Sequence, residues 1–293
     1  MASSKPSESG AKPAKKDLFP ILPYKGLKFK GTVVGAADFA AGRDCEQLKK
    51  AMKGFGTNDT TIVDVLCQRS NKQRLQIATT YKQMFDKDLL KELESELGGD
   101  FEDVILGLMR SPASFDAMHL NKAMKGRGTT ESTLIEILTS RSSQEIKEVK
   151  KAYRAEFGRD LERDLEGDTS GDFRRLLIRL SLGGRDESET VNQQLVERDV
   201  KDLLKAGIKR FGTDEGAFIS ILTEGNWCQL QAVIQEYEKQ SKGTFEQTVE
   251  SEFSGDLKDA LLALTKVIKN RPAFFAERLH ESMEVLYSTC TLD

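Results

Sequence analysis

Lys53-Gly54-Phe55-Gly56-Thr57 returns as Lys125-Gly126-Arg127-Gly128-Thr129, and again as Lys209-Arg210-Phe211-Gly212-Thr213. A second phrase follows each copy: Glu96-Leu97-Gly98-Gly99-Asp100, Asp168-Thr169-Ser170-Gly171-Asp172 and Glu252-Phe253-Ser254-Gly255-Asp256. The step from the last loop glycine to the acid is the same each time: 56 to 96, 128 to 168, 212 to 252. The loop glycines (56, 128, 212) and the closing aspartates (100, 172, 256) share the same offsets of 72 and 84. Two separate phrases that keep both offsets mark an internal repeat, and repeats of this length are stacked supersecondary units.

Each copy reads as helix. Apolar residues recur at matched places after each loop: Ile62/Val63/Val65/Leu66, Leu134/Ile135/Ile137/Leu138 and Phe218/Ile219/Ile221/Leu222. Such spacing fills a buried helical stripe. Thr57, Thr129 and Thr213 are placed to cap the helices that follow them. Ser70-x-x-Gln73 and Ser142-x-x-Glu145 are capping boxes that open the next helices. The Gly-Asp phrases open further helices, over 101–109, 173–182 and 257–268. No segment alternates as a strand does. The fold class is therefore all-α, with about five short helices to a repeat.

The chain divides into a basic tail over 1–35, repeats over 36–110, 111–184 and 185–270, and a remainder over 271–293. The 84-residue step accommodates an extended linker near Gly183-Gly184-Arg185-Asp186-Glu187. The tail carries Pro6, Pro13, Pro20 and Pro23 and seven lysines against Glu8 and Asp17, a composition that reads as flexible. Within it, the apolar stretch Leu18-Phe19-Pro20-Ile21-Leu22-Pro23-Tyr24 is expected to dock on the folded body, or else on a partner protein.

Composition narrows the function. The 293 residues are 38% hydrophobic and 31% charged, with a net charge of −3. Bulk electrostatics therefore does not favour nucleic acid or anionic lipid, and no nucleic-acid partner is expected. No apolar run approaches the roughly 20 residues of a membrane span, and the N-terminus lacks the apolar stretch of a secretory signal. Cys45, Cys67, Cys228 and Cys290 form no CxxC pair, so they read as reduced cytosolic thiols. With His119 and His280 as the only histidines, neither a His-rich zinc site nor a His-based triad is expected, and no enzyme.

The repeated phrases suit a cation. A Lys-Gly-x-Gly turn follows a helix whose last carbonyls lack intrahelical partners, and glycine permits the positive φ that turns them toward one point. Calcium takes about 6–8 hard oxygen ligands and accepts carbonyls readily. Three carbonyls and one bidentate carboxylate give about five, leaving room for water or a lipid phosphate oxygen. A single copy reads better as a helix C-cap and turn; three copies at one spacing reverse that in favour of the cation site. The EF-hand pattern is absent.

These motifs resemble the annexin family. The likeness covers about residues 36–283 and includes Ala123-Met124-Lys125-Gly126-Arg127-Gly128-Thr129 running to Leu134-Ile135-Glu136-Ile137-Leu138-Thr139-Ser140-Arg141. The resemblance implies a right-handed superhelical array of five-helix repeats, and a cytosolic protein that binds anionic phospholipid when calcium rises. It implies Ca2+ held by the carbonyls of Met52, Gly54 and Gly56 with Glu96, of Met124, Gly126 and Gly128 with Asp168, and of Gly207, Arg210 and Gly212 with Glu252. Phe55 and Phe211 would then face lipid, and Lys53, Lys125 and Arg127 its phosphates. Membrane organisation or trafficking is the expected role.

Departures from the family pattern carry their own expectations. The segment from Pro272 to Met283 resembles the first helix of a fourth repeat, and neither a loop glycine nor an acid at the repeat's spacing follows it. A truncated fourth repeat is expected to leave an apolar face of repeat 1 exposed, with reduced stability or self-association. Gly225 stands where Arg69 and Arg141 stand in the other repeats, so any ion pair of that arginine is missing from repeat 3. The rival function is an α-helical interaction scaffold recruited through the tail.

Overall fold

The computed structural model describes residues 21–25, 33–54, 56–126, 128–207 and 213–289, with side chains to 283. The remainder of the tail, Phe55, Arg127, Lys209, Arg210, Phe211 and Gly212 lie outside the described residues. Repeat 1 comprises α1 (Ala41–Ala51), α2 (Asp59–Leu66), α3 (Asn71–Phe85), α4 (Leu89–Glu96) and α5 (Gly99–Met109). Repeat 2 comprises α6 (Pro112–Ala123), α7 (Glu131–Ser140), α8 (Ser143–Phe157), α9 (Leu161–Asp168) and α10 (Gly171–Ser181). Repeat 3 comprises α11 (Gln193–Gly207), α12 (Glu215–Glu224), α13 (Trp227–Gln240), α14 (Phe245–Glu252) and α15 (Gly255–Thr289). The described residues contain helices and no strand.

Local chemistry explains the helix starts. Both expected capping boxes form, Ser70 with Gln73 and Ser142 with Glu145. Thr244 and Gln247 make a third at the head of α14. The loop threonines are not the caps: Asn58 and Asp214 accept from Thr61 and Ala217 main-chain N–H groups, and Thr130 takes the place in repeat 2. The cap position therefore lies one residue later; in repeats 1 and 3 Asn and Asp outrank Thr there, while Thr130 makes no side-chain cap bond. The expected linker lies extended across two repeats, with Ser143 donating to the Arg185 carbonyl at 2.7 Å.

Within a repeat the first helix packs on the second and third, and the fourth on the fifth. The core falls into two clusters. One belongs to repeat 1 and centres on Leu48, Ile62, Ile77, Tyr81 and Leu93. The other runs continuously through repeats 2 and 3, because α7 lies along α15 and α10 packs on α12. Repeats 1 and 2 join where the Phe115 ring closes over Gly107; a Cβ there would meet the ring at 2.9 Å.

Asn270 breaks α15, with φ −161° and ψ 86°, and its side chain accepts from the Ala273 N–H at 3.0 Å. The limb beyond carries the segment expected to open a fourth repeat. It packs on repeat 2: Arg278 reaches Glu136 at 3.3 Å, Arg271 reaches Glu145 at 3.4 Å, and Arg141 lies over the Phe275 ring at 5.7 Å.

A buried ion pair recurs at the head of two repeats. Arg69 grips Asp44 with bonds of 2.7 and 2.9 Å, and Arg141 grips Asp116 with bonds of 2.6 and 2.9 Å. Repeat 3 has lost both partners together, since Val200 and Gly225 occupy the two places. No buried carboxylate is stranded, which is the condition for such a loss to be tolerated. The carbonyls at the end of the second helix are still covered. In repeat 1 Arg74 donates to the carbonyls of Leu66, at 3.2 Å, and Arg69. In repeat 3 the corresponding carbonyls of Leu222, at 2.9 Å, and Gly225 accept instead from Arg185. Burial pushes the Arg185 pKa down to about 10, and its guanidinium lies 4.3 Å from the Trp227 ring centre.

The tail segment at Ile21–Lys25 docks on this same corner. Leu22 N–H donates to the Lys269 carbonyl at 2.8 Å, and Gln231 returns a bond to the Leu22 carbonyl at 2.8 Å. Tyr24 donates to the Val267 carbonyl at 2.8 Å and stacks on Trp227 with ring centres 5.7 Å apart. Burial pushes the Tyr24 hydroxyl up to about 12. Of the two expected destinations for the tail, this stretch takes the protein's own body.

Two outcomes follow. Arg69→Ala, which strands Asp44 in the core, is expected to cost about 3–5 kcal/mol in urea unfolding, whereas Asp44→Val/Arg69→Gly, the repeat 3 arrangement, costs less; an equal or larger loss in the double variant contradicts this account. Trp227 is the chain's single tryptophan, so Tyr24→Ala is expected to red-shift its emission by exposing the ring, and an unchanged spectrum would show that the segment does not cover it.

Candidate metal centres

The two halves of each centre sit at helix C-termini. Met52 and Met124 are the C-cap residues of α1 and α6, with buried side chains, so their carbonyls leave the helix end. The loop glycines follow at positive φ: 117° and 82° for Gly54 and Gly56, 112° and 91° for Gly126 and Gly128. These are left-handed or neighbouring conformations that side chains resist, and no atom lies within 4 Å of where a Cβ would stand. The loops are closed at their base by Asn58 N–H on the Ala51 carbonyl and Thr130 N–H on the Ala123 carbonyl, both at 2.9 Å. Among the described residues, no hydrogen bond is made to the carbonyls of Met52, Gly54, Gly56, Met124, Gly126 or Gly128.

The acids Glu96, Asp168 and Glu252 are the last residues of α4, α9 and α14. Glu96 and Asp168 are exposed and Glu252 is half-buried. In repeats 2 and 3 the loop threonine joins the two halves: Thr129 donates to the Asp168 carbonyl at 3.2 Å, and Thr213 to the Glu252 carboxylate at 2.7 Å. The hydroxyl freed from capping thus spans 39 residues to the acid. In repeat 1 the Thr57 hydroxyl turns instead to Asp59, at 2.5 Å. Of the third set, Gly207 is the terminal residue of α11, and Arg210 and Gly212 lie outside the described residues. The repeat register places Ile208, also outside them, opposite Met52 and Met124. The loop base is shifted there too, with Asp214 N–H on the Ala206 carbonyl at 3.4 Å.

A tyrosine steadies each acid helix from below. Tyr81, Tyr153 and Tyr237 are buried on the third helix of their repeats. Each reaches the residue four before the acid: Tyr81 to Glu92, Tyr153 to Asp164 at 2.5 Å, and Tyr237 to Thr248 at 3.1 Å. The first helix joins the bracket through Lys49 on Glu92, at 3.3 Å, and Asn121 on Tyr153, at 3.2 Å. Burial, reinforced by the Asp164 carboxylate, pushes the Tyr153 hydroxyl up to about 12. Burial works against the Glu92 charge, but bonds from Lys87, Tyr81 and Lys49 hold its carboxyl below the usual range. The glycine and acid phrases do not reveal these tyrosines; their signal is the shared offset, 81 to 153 to 237.

The donor set in each centre is neutral carbonyl oxygen with one carboxylate, at the negative ends of two helix dipoles. Such hard oxygens fit calcium rather than zinc. Among the described residues no cluster of three His, Cys, Asp or Glu side chains is placed to hold a metal. Lys53 and Lys125 stand exposed beside the first two loops.

Known proteins are similar to this chain. The family model described as Annexin matches residues 43–108, 115–180 and 198–264, one copy per repeat. Annexin A11 of Oryctolagus cuniculus is 48% identical over 271 residues, covering 92% of this chain and 54% of the relative. The chain thus spans about half the length of that relative. The solved structure of annexin III superposes with a TM-score of 0.84 at 39% identity, over 91% of this chain and 80% of that one. A calcium-bound annexin (Sm)1 superposes with a TM-score of 0.76 at 31% identity, over 87% and 77%. With three matched copies, this identity and this superposition, the chain belongs to the annexin family.

Proposed function

We propose that the protein binds anionic phospholipid membranes in a calcium-dependent manner, through the loops of its three repeats. The observation that carries this reading is the pairing of loop and acid in repeats 2 and 3, with Thr129 on Asp168 and Thr213 on Glu252. Bound calcium supplies positive charge with open positions for phosphate oxygens. Met52, Gly54, Gly56 and Glu96 hold it in the first repeat, and Met124, Gly126, Gly128 and Asp168 in the second. Gly207, Arg210, Gly212 and Glu252 are assigned the same role in the third. Lys53 and Lys125 add charge-assisted contacts to lipid phosphate, as would Arg127. Phe55 and Phe211 are assigned to the apolar edge of the lipid layer.

Physical chemistry supports the calcium dependence. A net charge of −3 gives no bulk attraction to an anionic surface, so the bridge must be a local cation. A one-carboxylate centre is weak alone, about 10⁻⁴–10⁻³ M, whereas several engaging one surface multiply their affinities. No helix among the described residues is long and apolar enough to cross a membrane, so attachment in this reading is peripheral and follows the calcium level, with a role in membrane organisation or trafficking. The scaffold reading gains no observation of its own, since Ile21–Lys25 is engaged on repeat 3.

Cosedimentation with phosphatidylserine vesicles is the test. The wild type is expected to pellet in calcium and leave the vesicles on chelation. Any one of Glu96→Gln, Asp168→Asn and Glu252→Gln is expected to weaken binding about tenfold or more, and the triple variant to stay in solution with its helical content intact. Wild-type binding by the folded triple variant contradicts the assignment.

A further inference from the structure

The three loop threonines divide two to one. Thr129 and Thr213 each reach the acid that lies 39 residues on, through the Asp168 carbonyl and the Glu252 carboxylate. Thr57 has the same place in repeat 1, but its hydroxyl donates to the Asp59 carboxylate at 2.5 Å. Among the described residues, no hydrogen bond links that loop to Glu96. The sequence supplies a reason. The residue that opens the helix after the loop is Asp59 in repeat 1, and Glu131 and Glu215 in repeats 2 and 3. A carboxylate on a single methylene stays beside the hydroxyl two residues back. Glutamate carries its carboxylate one methylene farther and has more rotamer freedom to lose, and in those repeats the threonine turns to the acid instead.

We infer that Asp59 is a positioning residue that withdraws Thr57 from Glu96, so that the first centre takes calcium only after the second and third. This inference rests on the calcium reading above and adds an order of filling to it. A threonine bonded to the acid residue holds the two halves of a centre together before any cation arrives, and a preorganised site gives up less freedom on binding. The first centre has no such tie and must be ordered as calcium enters it. Glu96 is exposed, and a glutamate has more rotamer freedom to lose than the Asp168 of the second centre.

The packing reinforces this division. Repeats 2 and 3 share one continuous core, whereas repeat 1 has its own. The second and third centres are thus fixed relative to each other through that core, and as calcium rises they engage one surface together. Repeat 1 follows at higher calcium. Asp59→Glu isolates the effect, because it keeps a carboxylate in the first turn of α2, where the helix dipole favours one, and changes its reach toward Thr57.

Thermal unfolding of the full chain against calcium alone, without lipid, tests the order. Three proteins each keep one centre: Asp168→Asn/Glu252→Gln keeps the first, Glu96→Gln/Glu252→Gln the second, and Glu96→Gln/Asp168→Asn the third. The first is expected to need on the order of tenfold more calcium than the others for an equal rise in melting temperature, the effect of about one hydrogen bond. Adding Asp59→Glu to the first protein is expected to recover most of that difference, and adding Thr57→Val as well to cancel the recovery. Thr129→Val in the second protein is expected to raise its requirement toward that of the first. Every substituted residue is exposed or half-buried, so the fold is retained throughout. Equal requirements in the three proteins, no gain from Asp59→Glu, a gain that survives Thr57→Val, or no loss from Thr129→Val each overturns the inference and leaves the calcium reading standing. If none of the three responds to calcium and the wild type does not pellet with phosphatidylserine vesicles in it, both are overturned.

Discussion

Each repeat brings together two helix C-termini that electrostatics would keep apart. The ends of α6 and α9 carry unpaired carbonyls and the negative poles of their dipoles, and Asp168 adds a full charge where they meet. In repeat 3 Thr213 likewise ties the loop to Glu252 at the end of α14. The arrangement is held from beneath, by a buried tyrosine of the third helix that bonds to the acid helix, and from the side, by the loop threonine in repeats 2 and 3. In the function proposed above, a cation between the two ends would relieve what the packing imposes. Other features of the fold, from the shifted caps to the glycine φ angles, serve to keep that junction in place.

Repeat 3 shows how much of the unit can change while the junction survives. It has lost the buried Asp–Arg pair, shifted its loop base by one residue and replaced one loop glycine by Arg210. Each loss is matched locally. Val200 and Gly225 remove both charges together, and Arg185 covers the carbonyls that Arg74 covers in repeat 1. That arginine, drawn in from the linker, also forms one wall of the corner where Tyr24 and Trp227 stack. The longer second step between repeats is thus used structurally.

Much of this was legible in the residues. The threefold phrase and its constant spacing place loop and acid at helix ends, and the five-helix count holds for α1–α5, α6–α10 and α11–α15. The capping boxes at Ser70 and Ser142 form as their patterns require. The loop threonines differ, because the capping rule does not distinguish Thr57 from Asn58 until the turn geometry is known, and the stronger cap takes the place. Tyr81, Tyr153 and Tyr237 look like core aromatics in any single repeat; only a register carried across all three exposes their role. That the apolar tail stretch docks on the body was legible, but the corner it takes, at Gln231, Val267 and Trp227, was not, since an apolar stretch names no particular partner.

The junction's electrostatics can be measured without lipid, by thermal unfolding of the wild type and of Glu96→Gln/Asp168→Asn/Glu252→Gln with chelator and with calcium. Ligands that bind only the folded state raise its stability by mass action. The account predicts that the variant melts higher than the wild type in chelator, because its helix ends no longer repel a carboxylate, and that calcium raises the melting temperature of the wild type alone. A variant that melts lower in chelator and still gains stability from calcium would contradict it.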